Sequence, residues 1–476
     1  MKKGLNYAMV WLLALSFMGC EKLDTDVTMP ERPQVGADDP DGSYSYFRNS
    51  SEGKLRDSVY FYTYYFYLWQ DQLPRSYGVH NYRSADALLE SLKGIARDED
   101  GRLVDRFSFL DRSGSVNQEL QDGVLGSFGF DIRYYNETDL YVKKVDLGSP
   151  AYQAGIRRGW QITEVNGQRD LSLASMEQDN FRFLFDAIYG EQIQLKAKNP
   201  AGVEHGFQFQ AALFNYRPII THRIFDLGTQ KVGYLAFDAF TSLHLIRTQL
   251  EGIMDSFEAA GVNKLIFDLR YNGGGDVATA NFISNLLAPS AAQNQLMNYY
   301  KINNTLQMEG WDWFLFYPTH FNKENTLELD RIYFLVTGGS ASASELLINN
   351  LTPYMDVKII GDSPTYGKPV GYFGWDIMGV DLYAVSFQTF NAHHEGDYFD
   401  GLLPDKLVGD DLSRDFGDPL EWMTAEALYH AEHNTFSTAS LLQQSLGKMP
   451  FQAVDRDLNK ALNETGRKDM FDFRTI

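Results

Sequence analysis

The stretch that most narrows the possible folds runs from Lys264 to Leu287. Lys264 to Leu269 is a continuous apolar run of the kind buried on both faces of a sheet, Gly273-Gly274-Gly275 follows closely, and an apolar helical pattern begins near Val277. A buried strand that turns through glycines into a helix is part of a strand–helix–strand unit. Its partners lie on either side: a strand from Val232 to Phe237, a helical face of Leu243, Ile246, Leu250, Ile253, Met254 and Phe257, and strands from Arg331 to Thr337 and Val357 to Ile360. Such alternation predicts a largely parallel sheet within residues 214–433.

Two turns of that sheet carry chemistry. The three glycines after Asp268-Leu269-Arg270-Tyr271-Asn272 let backbone N–H groups approach a ligand closely, as an oxyanion hole requires. The turn lacks the Lys-Ser/Thr of a phosphate loop, which argues against a nucleotide. The second turn is Gly339-Ser340-Ala341-Ser342-Ala343-Ser344-Glu345, followed by the helical pattern Leu346, Leu347, Asn350 and Leu351. A serine there sits at a helix N-terminus, where unpaired N–H groups stabilise developing negative charge. Downstream, Lys368 in Thr365-Tyr366-Gly367-Lys368 can take the serine's proton if burial lowers its pKa from the reference of about 10.4. From the residues alone Ser340, Ser342 and Ser344 remain nearly equal candidates. Ser340 suits an N-cap, and Ser344 a packed or solvated position.

At 476 residues, two to four domains are expected. With 42 basic and 63 acidic side chains the net charge is −21, which argues against nucleic acid and against a polybasic grip on anionic lipid. The nine histidines have no metal spacing and His393-His394-Glu395 reads as a polar loop, so neither metal nor cofactor is expected. Lys2 and Lys3, the apolar run from Tyr7 to Phe17, and Gly19-Cys20 read as an export signal over residues 1–19, too short to span a bilayer. Cys20 is the sole cysteine, so no internal disulfide can form. This arrangement resembles a bacterial lipoprotein precursor, which implies lipidation of Cys20 and a membrane-anchored place in the cell envelope, periplasmic or outer-membrane.

Residues 20–50, with Pro30, Pro33 and Pro40, read as a linker. Residues 51–120 read as a small helical N-terminal domain whose aromatic run, Val59 to Trp69, packs a core. Residues 121–213 begin with Gly126-Ser127-Phe128-Gly129-Phe130. Strands follow at Leu140 to Val145, Gln161 to Val165 and Gln192 to Ala197, with an Asn166-Gly167 turn and a helix from Met176 to Ile188. With Gly-Ser-Pro-Ala-Tyr-Gln-Ala-Gly at 148–155, this resembles a PDZ domain. The resemblance implies that the backbone of Phe128, Gly129 and Phe130 holds the terminal carboxylate of a peptide added as a strand. Residues 434–476 read as a partly ordered appendix.

Taken together, Asp-Leu-Arg-x-Asn-x-Gly-Gly, Ser-Ala-Ser-Ala-Ser-Glu and Pro-Thr-Tyr-Gly-Lys stand in the order of the tail-specific, or C-terminal processing, proteases of family S41, which the chain resembles over residues 55 to 430. That resemblance implies a multi-domain α/β protein with a ClpP/crotonase-like core and a Ser–Lys endopeptidase acting on protein or peptide C-termini. It implies Ser342 as nucleophile, Lys368 as base, Ala343 and Gly274 N–H groups as the oxyanion hole, and Glu345 and Thr365 as orienting residues. Where some members carry a glutamine four residues after the lysine, this chain has Tyr372. The other reading is a catalytically silent peptide-binding relative.

Overall fold

The computed structural model describes residues 50–314 and 316–438 and the strand Met470–Phe471. The export signal, Cys20, nearly all of the linker and most of the 434–476 appendix lie outside the described residues.

Six strands form the central sheet, in the spatial order Lys406–Leu407, Asp356–Gly361, Arg331–Val336, Lys264–Asp268, Lys231–Phe237 and Ile219–Asp226. The first five are parallel and the last is antiparallel. Period-2 alternation divides their side chains between two cores. Leu265, Phe267, Ile332 and Phe334 pack with the helices Leu243–Ala260, Val277–Leu287 and Ala343–Leu351, whereas Ile266, Tyr333 and Leu335 pack with Trp422–His433. Burial on both faces is why these strands read as unbroken apolar runs. Asp268 pairs with Leu335, so the glycine turn and the serine turn leave the same end of adjacent strands. That end is where an open parallel sheet places its chemistry.

A second sheet is ordered Gly275–Asp276, Met470–Phe471, Val370–Tyr372, Val385–Asn391, Leu296–Lys301 and Thr319–His320. Met470–Phe471 therefore supplies a strand between the glycine turn and the strand that follows Lys368.

The N-terminal helices Ser51–Phe66, Ala85–Lys93 and Ser115–Leu120 do not close on a core of their own. Leu55, Val59, Tyr60, Leu88 and Leu92 share one with Val370, Tyr372, Ile377, Leu382 and Val385. The aromatic run packs as expected: Tyr60, Tyr65, Phe66 and Tyr67 are buried, and Phe66 stacks 4.1 Å from Trp375.

Residues 130–210 form a five-stranded antiparallel sheet, Phe130–Tyr134, Leu140–Val145, Gln161–Val165, Gln192–Lys198 and Glu204–Gln210. The helix expected from Met176 to Ile188 is broken into Leu173–Met176 and Arg182–Ile188. Asn180 and Phe181 take φ of 55° and 63°, and Phe181 N–H donates to Met176 O at 2.8 Å. The turn drives the Phe181 ring into the core, and burial of a large aromatic offsets the left-handed strain.

Buried charges join this domain to the central sheet. Arg158 donates to Asp410 at 2.6 Å and to Tyr271 Oη at 2.8 Å, Arg133 reaches Asp362, and Arg270 binds Asp268 at 2.6 Å and Glu421 at 2.9 Å. Burial alone would raise the Asp410 pKa, but the guanidinium groups of Arg158, Arg270 and Arg133 hold it well below the usual carboxylate range. A depressed folded-state pKa contributes stability above the unfolded value of about 3.9 and loses it as pH falls through the folded value. Asp410→Asn is therefore expected to cost ~3–5 kcal/mol at pH 7, because it takes from buried Arg158 its carboxylate partner and from Arg270 and Arg133 part of their compensation. The penalty should shrink once the wild-type carboxylate is itself protonated in acid. Urea unfolding midpoints of both proteins from pH 7 downward measure this, and a penalty independent of pH would contradict it.

Candidate active site

The serine turn is stapled to the glycine turn by the two serines that flank its centre. Ser340 Oγ donates to Leu269 O at 2.8 Å and accepts from Thr337 N–H at 3.0 Å. Ser344 Oγ donates to Asn272 O at 3.0 Å, and Asn272 O also accepts from Ala341 N–H at 3.0 Å. Both hydroxyls are thus engaged in joining the two turns. Apart from the capping box it forms with Glu345, Ser342 Oγ is buried and makes no hydrogen bond with a described residue. This distinguishes three serines that composition and spacing left equal. It also corrects the expectation for Ser340: the residue at the N-cap of Ala343–Leu351 is Ser342 itself, at φ 62° and ψ −113°.

That conformation is strained for a residue with a side chain, by about 1–3 kcal/mol, and the surroundings over-determine it. Glu345, fully buried, accepts four hydrogen bonds. Its Oε2 takes Ser342 N–H at 2.7 Å and Lys368 N–H at 2.9 Å, and its Oε1 takes Gly367 N–H at 2.7 Å and the Thr365 hydroxyl at 2.5 Å. One carboxylate oxygen thereby holds the backbone of both Ser342 and Lys368. Burial pushes the Glu345 pKa up, and the four donors oppose it. Thr365 Oγ1 in turn accepts from Leu402 N–H at 2.7 Å. Glu345 and Thr365 thus act on the backbone of the lysine's loop.

Lys368 is fully buried. Its Nζ donates to Tyr372 Oη at 2.7 Å and lies 4.0 Å from the Tyr372 ring centroid and 5.5 Å from that of Phe107. Gly367 permits the turn ahead of it, at φ 88°, where a Cβ would meet Phe399 O at 2.2 Å.

The oxyanion donors are more divided. Ala343 is the first helical residue, so its N–H is among those without an intrahelical acceptor. The Gly274 N–H instead donates to Asn272 Oδ1 at 2.9 Å, an Asx turn that Asn two residues before a glycine signals in the sequence. In this conformation Gly274 is not free to donate, a correction to the expected pair. For the turn to contribute a donor, that bond must open or another of its amides must serve.

A cavity of about 420 Å³ lies against the glycine turn. Gly273, Gly274 and Gly275 line one side, and Phe128, Phe130 and Ile188 the other. Gly129 sits between the two phenylalanines at φ 76°, where a Cβ would fall 1.9 Å from that of Ser149, and its N–H donates to Ser127 Oγ at 3.0 Å. The Phe128–Phe130 loop and the glycine turn therefore open on one space. Among the described residues no cluster of His, Cys, Asp or Glu suits a metal ion.

Sequence comparison agrees with this architecture. A model of the peptidase family S41 matches residues 231–406, and one of the PDZ domain matches residues 117–183. Carboxyl-terminal-processing peptidase 3, chloroplastic, of Arabidopsis thaliana is 27% identical over 300 residues, covering 60% of this chain and 53% of the relative. Carboxy-terminal processing protease CtpA of Bacillus subtilis is 27% identical over 222 residues, covering 46% and 42%. The chain thus spans about half the length of these curated relatives. A crystal structure of an S41 protease from Bacteroides fragilis superposes with a TM-score of 0.61 at 25% identity, covering 79% of this chain and 97% of that one.

Proposed function

Because the chain belongs to peptidase family S41 and carries a PDZ domain ahead of its peptidase core, we propose that it is a serine endopeptidase that uses a Ser342–Lys368 dyad and docks substrate C-termini on the PDZ domain. The observation that carries this reading is the buried, strained Ser342, whose hydroxyl is not bonded to the glycine turn and whose backbone shares one Glu345 oxygen with the backbone of Lys368.

In this mechanism the neutral Lys368 amine takes the Ser342 hydroxyl proton as Oγ attacks the scissile carbonyl. The oxyanion forms at the Ala343 N–H, at the positive end of the helix Ala343–Leu351. The resulting ammonium returns its proton to the leaving amine, leaving an acyl-enzyme, and a water deprotonated by the same lysine releases the acid. Tyr372 and Phe107 present ring faces to the ammonium while it exists. The PDZ loop and the glycine turn open on a common cavity, so a peptide held there by its end would pass along the glycine turn.

The test is hydrolysis of an unstructured peptide made once with a free C-terminal carboxylate and once amidated, followed by mass spectrometry. Cleavage of the free-acid form with a lower KM supports both parts of the reading. Equal KM values would remove the carboxylate-docking part alone, and no cleavage of either form, together with no reaction of Ser342 with serine-directed probes, would favour a silent peptide-binding protein.

Placement in the cell envelope rests on residues 1–20. The wild type is expected to take up a labelled fatty acid and sediment with membranes, and Cys20→Ala to do neither. Membrane-free wild-type protein without label would sink the lipoprotein reading.

A further inference from the structure

We propose that Tyr372 is the positioning residue for the general base, and that the N-terminal helical domain fixes Tyr372 in turn through the carbonyl of Phe107. The inference rests on the Ser342–Lys368 reading and extends it to the residue standing where some S41 members carry a glutamine.

The argument turns on where one proton points. Tyr372 Oη donates to Phe107 O at 2.7 Å and accepts from Lys368 Nζ at 2.7 Å. A phenol has a single O–H, so with that proton on the Phe107 carbonyl it meets the lysine as an acceptor. A neutral amine has two N–H groups and one lone pair. Placing one N–H on Tyr372 restricts the amine's rotation and keeps the lone pair off the phenol, available for the serine proton. A phenol pointing the other way would donate into that lone pair and silence the base. The Phe107 carbonyl thus sets the polarity of the contact. A glutamine side-chain carbonyl would also accept from the amine, so tyrosine performs the same service provided its own proton is held elsewhere.

The holder is built for rigidity. Asp105 Oδ1 accepts from Phe107 N–H and Ser108 N–H, both at 2.9 Å, and its Oδ2 accepts from the hydroxyls of Ser108 and Tyr67, both at 2.6 Å. Ser108 Oγ also accepts from Val385 N–H at 3.0 Å, tying the loop to the strand beside Val370–Tyr372. The Tyr372 ring is buried, with Phe109 edge-on at 5.8 Å and Tyr383 at 6.0 Å. The chain of contacts runs by direct hydrogen bonds from the N-terminal segment to the base.

The experiment compares Tyr372→Phe, Tyr372→Gln and Asp105→Ala with the wild type on an unstructured free-acid peptide, recording kcat and KM from pH 6 to 10 alongside thermal unfolding. Tyr372→Phe is expected to lower kcat by about 10–100-fold, part of the general-base contribution, with KM within about twofold and a displaced pH profile. Tyr372→Gln should recover most of that loss, and Asp105→Ala should shift the profile in the same direction with a smaller fall. Unchanged kcat and pH profile in Tyr372→Phe would overturn the inference. So would losses in all three variants that track the unfolded fraction, since Tyr372 would then serve packing only. If Ser342→Ala keeps full activity, the dyad itself is wrong, an outcome the Tyr372 variants cannot produce.

Discussion

Ser342→Ala is expected to lower kcat for peptide hydrolysis by at least ~10⁴-fold, because no neighbouring hydroxyl can replace the one removed. Ser340 and Ser344 flank it in sequence, but each hydroxyl is bonded to the glycine-turn backbone and would have to give up that bond to turn. Lys368→Ala should fall by a similar factor, and the double variant should be little worse than either, since nucleophile and base act as one unit. Lys368→Arg is the sharper probe. It keeps a cation of similar reach, but a guanidinium does not give up its proton in a protein, so a general base is lost while a positive charge remains. Activity within tenfold of wild type for Lys368→Arg would mean that the lysine acts by charge alone. Peptide turnover followed by mass spectrometry, with KM determined for each variant, separates chemistry from binding.

Glu345→Ala carries the second-largest expected effect, and it combines stability with rate. Removing the carboxylate leaves the N–H groups of Ser342, Gly367 and Lys368 without acceptors in a dry interior, together with the Thr365 hydroxyl. A buried donor without a partner costs about 1–3 kcal/mol, and relaxation makes the sum less than additive, so ~3–5 kcal/mol is expected. Nothing would then hold Ser342 in its left-handed conformation or the Lys368 loop against it, and kcat should drop by at least about 10²-fold even in the folded fraction. Glu345→Gln discriminates further. Its amide offers one oxygen and one NH2, and whichever way it turns, one pair of donors faces another donor. It should therefore lie between wild type and alanine in both unfolding midpoint and rate. Glu345→Gln matching wild type in both would show that one side of the carboxylate is dispensable.

What could be read from the sequence follows from how local each interaction is. The central sheet was legible because its strands are buried on both faces and its helices carry a 3.6-residue apolar pattern, as at Leu243–Ala260 and Val277–Leu287. The second sheet was not. It joins short strands separated by up to about two hundred residues, and a two-residue segment such as Gly275–Asp276 has no periodicity to detect. Within the site, residue types and spacing led as far as three serines and one lysine, and the choice of Ser342 came from a family resemblance. The structure supplies an independent reason, that two of the three hydroxyls are bonded elsewhere. The break at Asn180–Phe181 escaped notice because an apolar helical pattern continues across it. Phe107 left no trace at all, because it acts through a backbone carbonyl that every residue possesses, whereas the Asx turn at Asn272 had a visible signal.

The strand Met470–Phe471 has a kinetic consequence. It runs parallel to Gly275–Asp276 and places Phe471 opposite Tyr372, so an extended peptide that joined these two edges would need the position this segment already holds. A segment attached to the site it occupies has an effective concentration fixed by the covalent connection rather than by how much protein is present. Diluting the enzyme leaves that number unchanged. A peptide seeking that position would therefore meet a competitor whose concentration is a property of the polypeptide, the same in a cell as in a cuvette.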